Sequence, residues 1–240
     1  MIPREKLLDL YTAMMKCRML AEHAATHNPA AYGAAFAAVA CDLKARDTVA
    51  AATGAPLVRA ARGASLEKAL AALTQTRPRK IDPLAAAIRS AVAHKAAKST
   101  HLAVAFCGNA PAAAWKKSLS LASRRSLPLI FVSLRASGAA PAFAATPADA
   151  PQALAFGVPL ITVDAADLVA VYRVASEAFA RARLRRIPTL IDAVLAPGSD
   201  PVATMESWLA ARGQFTPALR RKVRADIARQ LRAASLPGIP

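Results

Sequence analysis

The most constraining feature of the chain is a series of four short apolar segments between residues 101 and 195, separated by segments of helical character. They read HLAVAFC (101–107), LPLIFVSL (127–134), VPLITVD (158–164) and IPTLIDAVL (187–195). Each is apolar along most of its length, which is typical of strands buried on both faces. Helices are predicted between them at 112–123, 149–156 and 167–183. The sequence therefore predicts a doubly wound α/β fold, with a mainly parallel sheet covered by helices on both faces.

The segments that flank this core are predicted to be helical. Before it, apolar spacing and capping residues predict helices near the N-terminus, over 34–44, from Ser65, and from Asp82-Pro83 to Lys95. After it, Asp200-Pro201 and Thr216-Pro217 each open a further helix. We expect one domain over 1–240, with a mostly helical part (1–80), an α/β core (81–196) and C-terminal helices (197–240).

Composition excludes several classes of protein. Hydrophobic residues make up 55% of the chain, too many for a disordered protein. No apolar run approaches the ~20 residues of a membrane-spanning helix, and the N-terminal MIPREKLLDL is not a signal-peptide pattern. Three scattered cysteines do not make a disulfide framework. We expect a cytoplasmic protein.

The net charge of +17 raises nucleic acid as a partner. The basic residues are interspersed with alanine along predicted helices, however, and aromatic residues are 5% of the chain. A solvated surface or a face for an acidic partner explains this pattern better, so a basic nucleic-acid-binding module stays an alternative that we do not favour.

Ligands of such sheets bind outside the carboxyl ends of the strands. Gly108 and the turn from Ser133 to Gly138 are therefore the positions where a site is expected. A loop that opens a helix, as Gly108-Asn109-Ala110 does, could bind a phosphate through backbone amides without a metal ion.

The order of motifs is similar to that of a known family. The stretches that carry the similarity are LLDLYTAMMKCRMLAEHA, AAYGAAFAAVACDLKARDTV, LAVAFCGNA, LSLASRRSLPLIFV, AFGVPLITVDAADLVAVYRVASEAFARAR with PTLIDAV, and DPVATMESWLAARGQFTP. The chain resembles the alpha subunit of the thiamine-diphosphate-dependent decarboxylase component of 2-oxo acid dehydrogenase complexes. The resemblance covers nearly the whole chain, which is shorter than a typical alpha subunit, mainly between Gly63 and His101. It implies the thiamine-diphosphate-binding fold.

The sequence departs from this family at the residues that carry its chemistry. The family's Gly-Asp-Gly motif reads Gly108-Asn109-Ala110 here, and its paired asparagines read Arg135-Ala136. In the family, the Asp and the second Asn bind the Mg²⁺ that bridges the cofactor's phosphates. The histidines of the family's active-site loop are missing from ATGAPLVRAARGAS. Gly108 and Asn109 are therefore interpreted as a vestigial cofactor site, and we expect no catalytic residue and no metal ligand.

An argument independent of the family supports this expectation. The 66 residues between Asp82 and Asp149 contain no Asp or Glu, although they span two strand ends. Divalent cations need oxygen ligands and usually a carboxylate. The sequence thus predicts that nothing local supplies a carboxylate to this edge of the sheet.

Other candidate residues have simpler interpretations. His23 and His27 stand at helical spacing, but Ala24 occupies the place of a general-base Glu, so surface or interface histidines are favoured over a zinc site. Cys107 ends a strand and is interpreted as a core thiol rather than a nucleophile. His101 lies at the start of a strand, the wrong end for catalysis.

These observations predict a degenerate alpha-like subunit that has lost its Mg²⁺–thiamine diphosphate site and has a structural or regulatory role. It would form a homo-oligomer or associate with a beta-type subunit, and no cofactor is expected. The alternative is an active oxidoreductase subunit that decarboxylates a 2-oxo acid with thiamine diphosphate and Mg²⁺ together with a beta-type partner.

Overall fold

A seven-stranded sheet forms the centre of the molecule. The computed structural model describes residues 2–23, 37–39, 41–44, 46–52, 61–62, 82–108, 110–143 and 153–233. The strands are β1 (Thr48–Ala52), β2 (Ala61–Arg62), β3 (Ala103–Cys107), β4 (Leu129–Ala136), β5 (Leu154–Ala155), β6 (Val158–Asp164) and β7 (Thr189–Leu195). Their order across the sheet is β2-β1-β3-β4-β7-β6-β5. The five inner strands run parallel, and β2 and β5 pair antiparallel at the two edges.

The helices that cover the sheet begin where the sequence predicts. They are α1 (Arg4–His23), α2 (Pro83–Ala96), α3 (Ala112–Arg124), α4 (Leu168–Arg185), α5 (Pro201–Ala210) and α6 (Pro217–Ala233). The carboxylates of Asp82, Asp167 and Asp200 accept hydrogen bonds from first-turn amides of α2, α4 and α5. These amides have no partner within the helix, so each aspartate fixes the residue at which its helix starts.

The two faces of the sheet carry separate hydrophobic layers. Successive side chains of a strand point to opposite faces, so Ile130 and Val132 of β4 pack with α1, α4 and α5, whereas Leu129 and Phe131 pack with α2 and α3. Helices on both faces of a mainly parallel sheet confirm the predicted fold class.

Three expectations about single elements differ from the structure. The helix predicted over 34–44 does not extend to its expected end, since 37–39 are helical but 41–44 are not. The helix predicted at 149–156 is wrong at its end, where Leu154 and Ala155 form β5 and pair with Pro159 and Val158. The strands β1 and β2 were not predicted. The helix predicted from Ser65 lies outside the described residues.

Candidate functional site

A cleft of about 400 Å³ lies at the carboxyl ends of β3 and β4, where the sequence predicts a site. Its walls come from the end of β3, the start of α3, the end of β4 and the turn that follows β4. The lining residues are Gly108, Ala110, Pro111, Trp115, Ser133, Arg135, Ala139, Ala140 and Ala142. The cleft is thus mostly apolar, with the polar side chains of Ser133 and Arg135 on the β4 side.

Gly108 stands at the end of β3, close to the neighbouring strand. A Cβ atom at this position would lie 3.4 Å from the carbonyl oxygen of Leu134, so a larger residue there would press on β4. Gly108 is one of the residues that line the cleft. Asn109, the other residue of the predicted vestigial cofactor site, lies outside the described residues.

Arg135, which lines the cleft, forms an ion pair with Asp192. Asp192 lies on β7 and is 2% exposed. Nε of Arg135 donates to Oδ1 and Oδ2 of Asp192 at 3.1 and 2.9 Å, and Nη2 donates to Oδ2 at 2.7 Å. A third donor, Nη1, bonds the carbonyl oxygen of Ala139 at 2.8 Å and so ties the turn after β4 to the strand. A planar guanidinium holds a carboxylate in this forked geometry particularly well.

Asp192 corrects the expectation that no carboxylate reaches this edge of the sheet. The acid-free interval of the sequence covers β3 and β4, but β7 lies directly beside β4 and places Asp192 opposite Ser133 in register. This contact is not apparent from the sequence, since Arg135 and Asp192 are 57 positions apart. The available signal was a carboxylate within the apolar run IPTLIDAVL, because a buried charge needs a partner.

The first turn of α3 faces the same cleft. Its N-cap residue is Pro111, which lines the cleft and supplies no side-chain cap, and the first turn has no acidic residue. The amides of Ala114 and Trp115 bond the carbonyl oxygen of Pro111 at 2.9 and 3.2 Å. Within the part of the chain that the structure describes, the amides of Ala112 and Ala113 are left without acceptors. A helix terminus of this kind carries partial positive charge.

The side chains around the cleft do not fit a divalent cation. Mg²⁺ prefers several oxygen ligands in octahedral geometry, whereas the position that the resemblance implies for the second metal ligand is Ala136, whose side chain has no polar atom. The nearby carboxylate of Asp192 already accepts hydrogen bonds from that arginine on both oxygens. Among the described ranges, no three His, Cys, Asp or Glu side chains form a group that could hold a metal ion.

The remaining candidate residues lie away from the cleft or in the core. His101 precedes β3, at the opposite end from the cleft, and its ring stacks edge-on to that of His94 with 5.9 Å between centroids. Cys107 is 2% exposed and packs in the layer beneath α2 and α3. His23 ends α1, and His27 lies outside the described residues, so the spacing argument for this pair stays untested.

Of the two other cysteines, Cys17 is a buried core thiol and Cys41 is partly buried against the same core. Burial raises the pKa of Cys17 to about 12 and that of Cys41 to about 11. At neutral pH both therefore carry the protonated thiol, which is a poor nucleophile and a poor metal ligand.

None of the helices, over the residues that the structure describes, combines the length and the apolar character that crossing a membrane requires.

Comparison with known proteins identifies the family. The sequence matches the family model described as dehydrogenase E1 component over residues 59–195. The search of curated protein sequences gave no match. Among solved structures, the chain is similar to one described as a thiamin diphosphate-dependent enzyme from Mycobacterium smegmatis, with a TM-score of 0.43 and 16% identity. That alignment covers 68% of this chain and 31% of the other, so this chain spans about a third of that protein's length. Because the family match extends over more than half of the sequence and contains every strand from β2 to β7, the chain belongs to the dehydrogenase E1 component family.

Proposed function

We propose that the chain is an alpha-like E1 subunit whose Mg²⁺–thiamine diphosphate site is lost and whose role is structural or regulatory. The observation that carries the proposal is the Arg135–Asp192 ion pair. At the strand end where the resemblance implies an asparagine ligand for Mg²⁺, this chain has a cation, and that cation occupies the nearest described carboxylate. Because both oxygens of Asp192 already accept hydrogen bonds from Arg135, they are poorly available as ligands for a divalent cation.

The groups that a decarboxylase would need for proton transfer are also missing from the described lining of the cleft. That lining contains one hydroxyl, one guanidinium and otherwise apolar side chains. A hydroxyl and a guanidinium are poor groups for general acid-base catalysis near neutral pH. We therefore expect no 2-oxo acid decarboxylation by this chain alone.

An E1 subunit that has lost its catalytic residues can still keep the surface through which it associates with other subunits. We propose a homo-oligomer or a complex with a beta-type subunit as the functional form. Native mass spectrometry of the chain purified from its own host, with Mg²⁺ present throughout, tests this directly. An assembly that contains a second copy or a beta-type chain but no thiamine diphosphate is the expected result.

The decisive test of the lost site is a titration of the full chain with thiamine diphosphate, in Mg²⁺ and in EDTA, by isothermal calorimetry. We expect no Mg²⁺-dependent binding. Binding that needs Mg²⁺ and is abolished by Asn109→Ala would contradict the proposal and support the active-subunit alternative. The same titration with the co-purified beta-type partner tests whether the partner supplies the missing ligands. Decarboxylation of a 2-oxo acid by that complex would also contradict the proposal.

A further inference from the structure

We propose that the cleft beside Arg135 binds a small organic carboxylate without a metal ion. This inference rests on the proposed function in one respect, that no divalent cation is held in the cleft. It goes beyond that function because it assigns a ligand class to the remaining site, with Ser133, Arg135 and the start of α3 as the groups that recognise it.

The first observation is the unpaired hydroxyl of Ser133, which faces the cleft. This residue is 4% exposed and lines the cleft. It alternates with Val132 and Leu134 along β4, so its side chain lies on the face that carries α3, together with those of Phe131 and Arg135. Within the described part of the chain, its hydroxyl makes no hydrogen bond. Because the residue is otherwise buried, its hydroxyl is open only to the cleft, where a ligand or water can bond it.

The second observation is the start of α3, which opens onto the same cleft. The helix has 13 residues, no side-chain cap and no acidic residue in its first turn. The amides of Ala112 and Ala113 have no acceptor among the described residues. Such a terminus binds anions through its amides and its dipole.

The third observation is the unused capacity of Arg135. Its guanidinium has five N–H donors, and the bonds to Asp192 and Ala139 leave one hydrogen on each of Nη1 and Nη2. The side chain keeps 21% of its surface exposed and lines the cleft. The paired Asp192 fixes the orientation of the guanidinium and thereby of these remaining donors.

Charge and shape select the kind of anion. The negative charge of Asp192 offsets that of Arg135, so the partial charge of the helix terminus is the main excess positive charge, roughly half an elementary charge. One negative charge can be balanced there, whereas a dianion such as a free diphosphate group would be repelled by Asp192. The apolar walls formed by Pro111, Trp115 and Ala142 favour an organic body over a bare inorganic ion.

Calorimetric titration of the full chain in EDTA tests the proposal, with benzoate as the probe. Benzamide has the same shape without the charge, and inorganic phosphate has charge without an apolar body. We expect benzoate to bind at least about tenfold more tightly than either. Ser133→Ala is expected to weaken benzoate binding about tenfold, since it removes a hydrogen bond to a charged group.

A second variant distinguishes loss of binding from loss of folding. Ala112→Asp places a carboxylate in the first turn of α3, which stabilises the helix while competing with the ligand, so benzoate binding should fall although the protein stays folded. Ser123→Ala, at the other end of α3, and Ala93→Asp, on the exposed side of α2, are the matched controls and should bind benzoate as the wild type does.

Several results would overturn this inference. They are no benzoate binding by the folded chain, equal binding of benzamide, tighter binding of phosphate, or wild-type affinity in both Ser133→Ala and Ala112→Asp. The two proposals fail separately. Mg²⁺-dependent binding of thiamine diphosphate contradicts the proposed function, whereas loss of the benzoate signal in EDTA contradicts only the carboxylate site.

Discussion

Arg135 and Asp192 depend on each other for stability as well as for the character of the cleft. Asp192 is almost fully buried, and Arg135 is the partner of its side chain within the described residues. The guanidinium supplies the hydrogen bonds that water would otherwise make to this carboxylate. Removing one member leaves the other with a desolvated charge, whereas removing both leaves two neutral side chains.

We expect Arg135→Met to lower the free energy of unfolding by about 3 kcal/mol, because it strands the buried carboxylate of Asp192. The double variant Arg135→Met/Asp192→Asn should recover a large part of this loss. Urea unfolding of the four proteins of the cycle measures the coupling. Additive losses in the double variant would show that the ion pair does not hold this strand end together.

At the scale of single elements, the sequence predicts those whose signals are local. The carboxylate-proline starts of α2 and α5 and the apolar runs of β4 and β6 depend on neighbours along the chain, and they lie within about two residues of their predicted positions. β1 could not be predicted in this way. Its sequence TVAAA is dominated by alanine, which favours helices, and it becomes a strand because β3 lies beside it.

The candidate site shows the same difference between local and long-range signals. Gly108 and the turn after β4 were predicted because the carboxyl ends of parallel strands meet at one edge. The Arg135–Asp192 pair was not, because it depends on β7 lying beside β4, a neighbour relation that strand order sets and that no local pattern encodes. The role proposed for the hydroxyl of Ser133 likewise depends on the face of the sheet on which it lies.

Asp47 is the residue that joins the unpredicted strand β1 to the core. It is fully buried, accepts hydrogen bonds from the amides of Lys44 and Leu102 at 2.8 and 3.0 Å, and forms an ion pair with Arg183 of α4. We expect Asp47→Ala to lower the free energy of unfolding by 3 kcal/mol or more, roughly the cost of breaking a buried pair.

The exposed pair of Asp226 and Arg229 on α6 offers a matched control for Asp47. Asp226→Ala removes the same side chain from a solvated pair and should cost less than about 0.5 kcal/mol. Urea unfolding compares the two variants. Equal losses would mean that burial does not determine the contribution of Asp47.

The turn between β5 and β6 explains why a strand stands where a helix was predicted. Phe156 and Gly157 both have positive φ, of 50° and 81°, which is the geometry of a tight hairpin turn and not of a helix. The hydroxyl of Ser123 on α3 donates to the carbonyl oxygen of Gly157 at 2.8 Å and so ties the turn to this helix.

We expect Gly157→Ala to destabilise the protein by about 2 kcal/mol, through its positive φ and through contact of the new methyl group with Ser123. The added Cβ would lie 2.8 Å from Oγ of Ser123. Gly138→Ala is the control, since Gly138 has a similar φ of 84° but open space around it. Thermal unfolding should show a larger decrease in melting temperature for Gly157→Ala than for Gly138→Ala. Equal decreases would show that the contact with Ser123 contributes nothing.

At the scale of the whole molecule, the first helix contacts the last two helices, although most of the chain length separates them. The hydroxyl of Tyr11 on α1 donates to Oε1 of Glu206 on α5 at 2.7 Å, and Arg220 of α6 pairs with the same carboxylate. Burial and the neighbouring carboxylate raise the pKa of Tyr11 above its ordinary value. The helical parts predicted as separate segments of the chain thus share one buried polar contact.

A second link between α1 and α5 makes stability depend on pH. Arg18 donates to both oxygens of Asp200, at 3.0 and 2.6 Å, and this hydrogen bonding lowers the pKa of Asp200 below its ordinary value. A carboxyl group whose pKa is lower in the folded state stabilises the protein above its ordinary pKa. That contribution is lost as the pH falls through the lowered value.

Asp200→Asn isolates this contribution, because asparagine keeps an oxygen that can cap α5 but loses the charge. We expect the wild type to exceed the variant in free energy of unfolding at pH 7 by less than about 1 kcal/mol, since the side chain of Asp200 is 47% exposed. Urea unfolding of both proteins should show this difference shrinking as the pH falls below about 4, and disappearing once the carboxyl group is protonated in the folded state. Acidification also raises the net positive charge of a chain that already carries +17, but that repulsion acts on both proteins. A difference that stays constant with pH would therefore mean that Arg18 does not stabilise the charged form of Asp200.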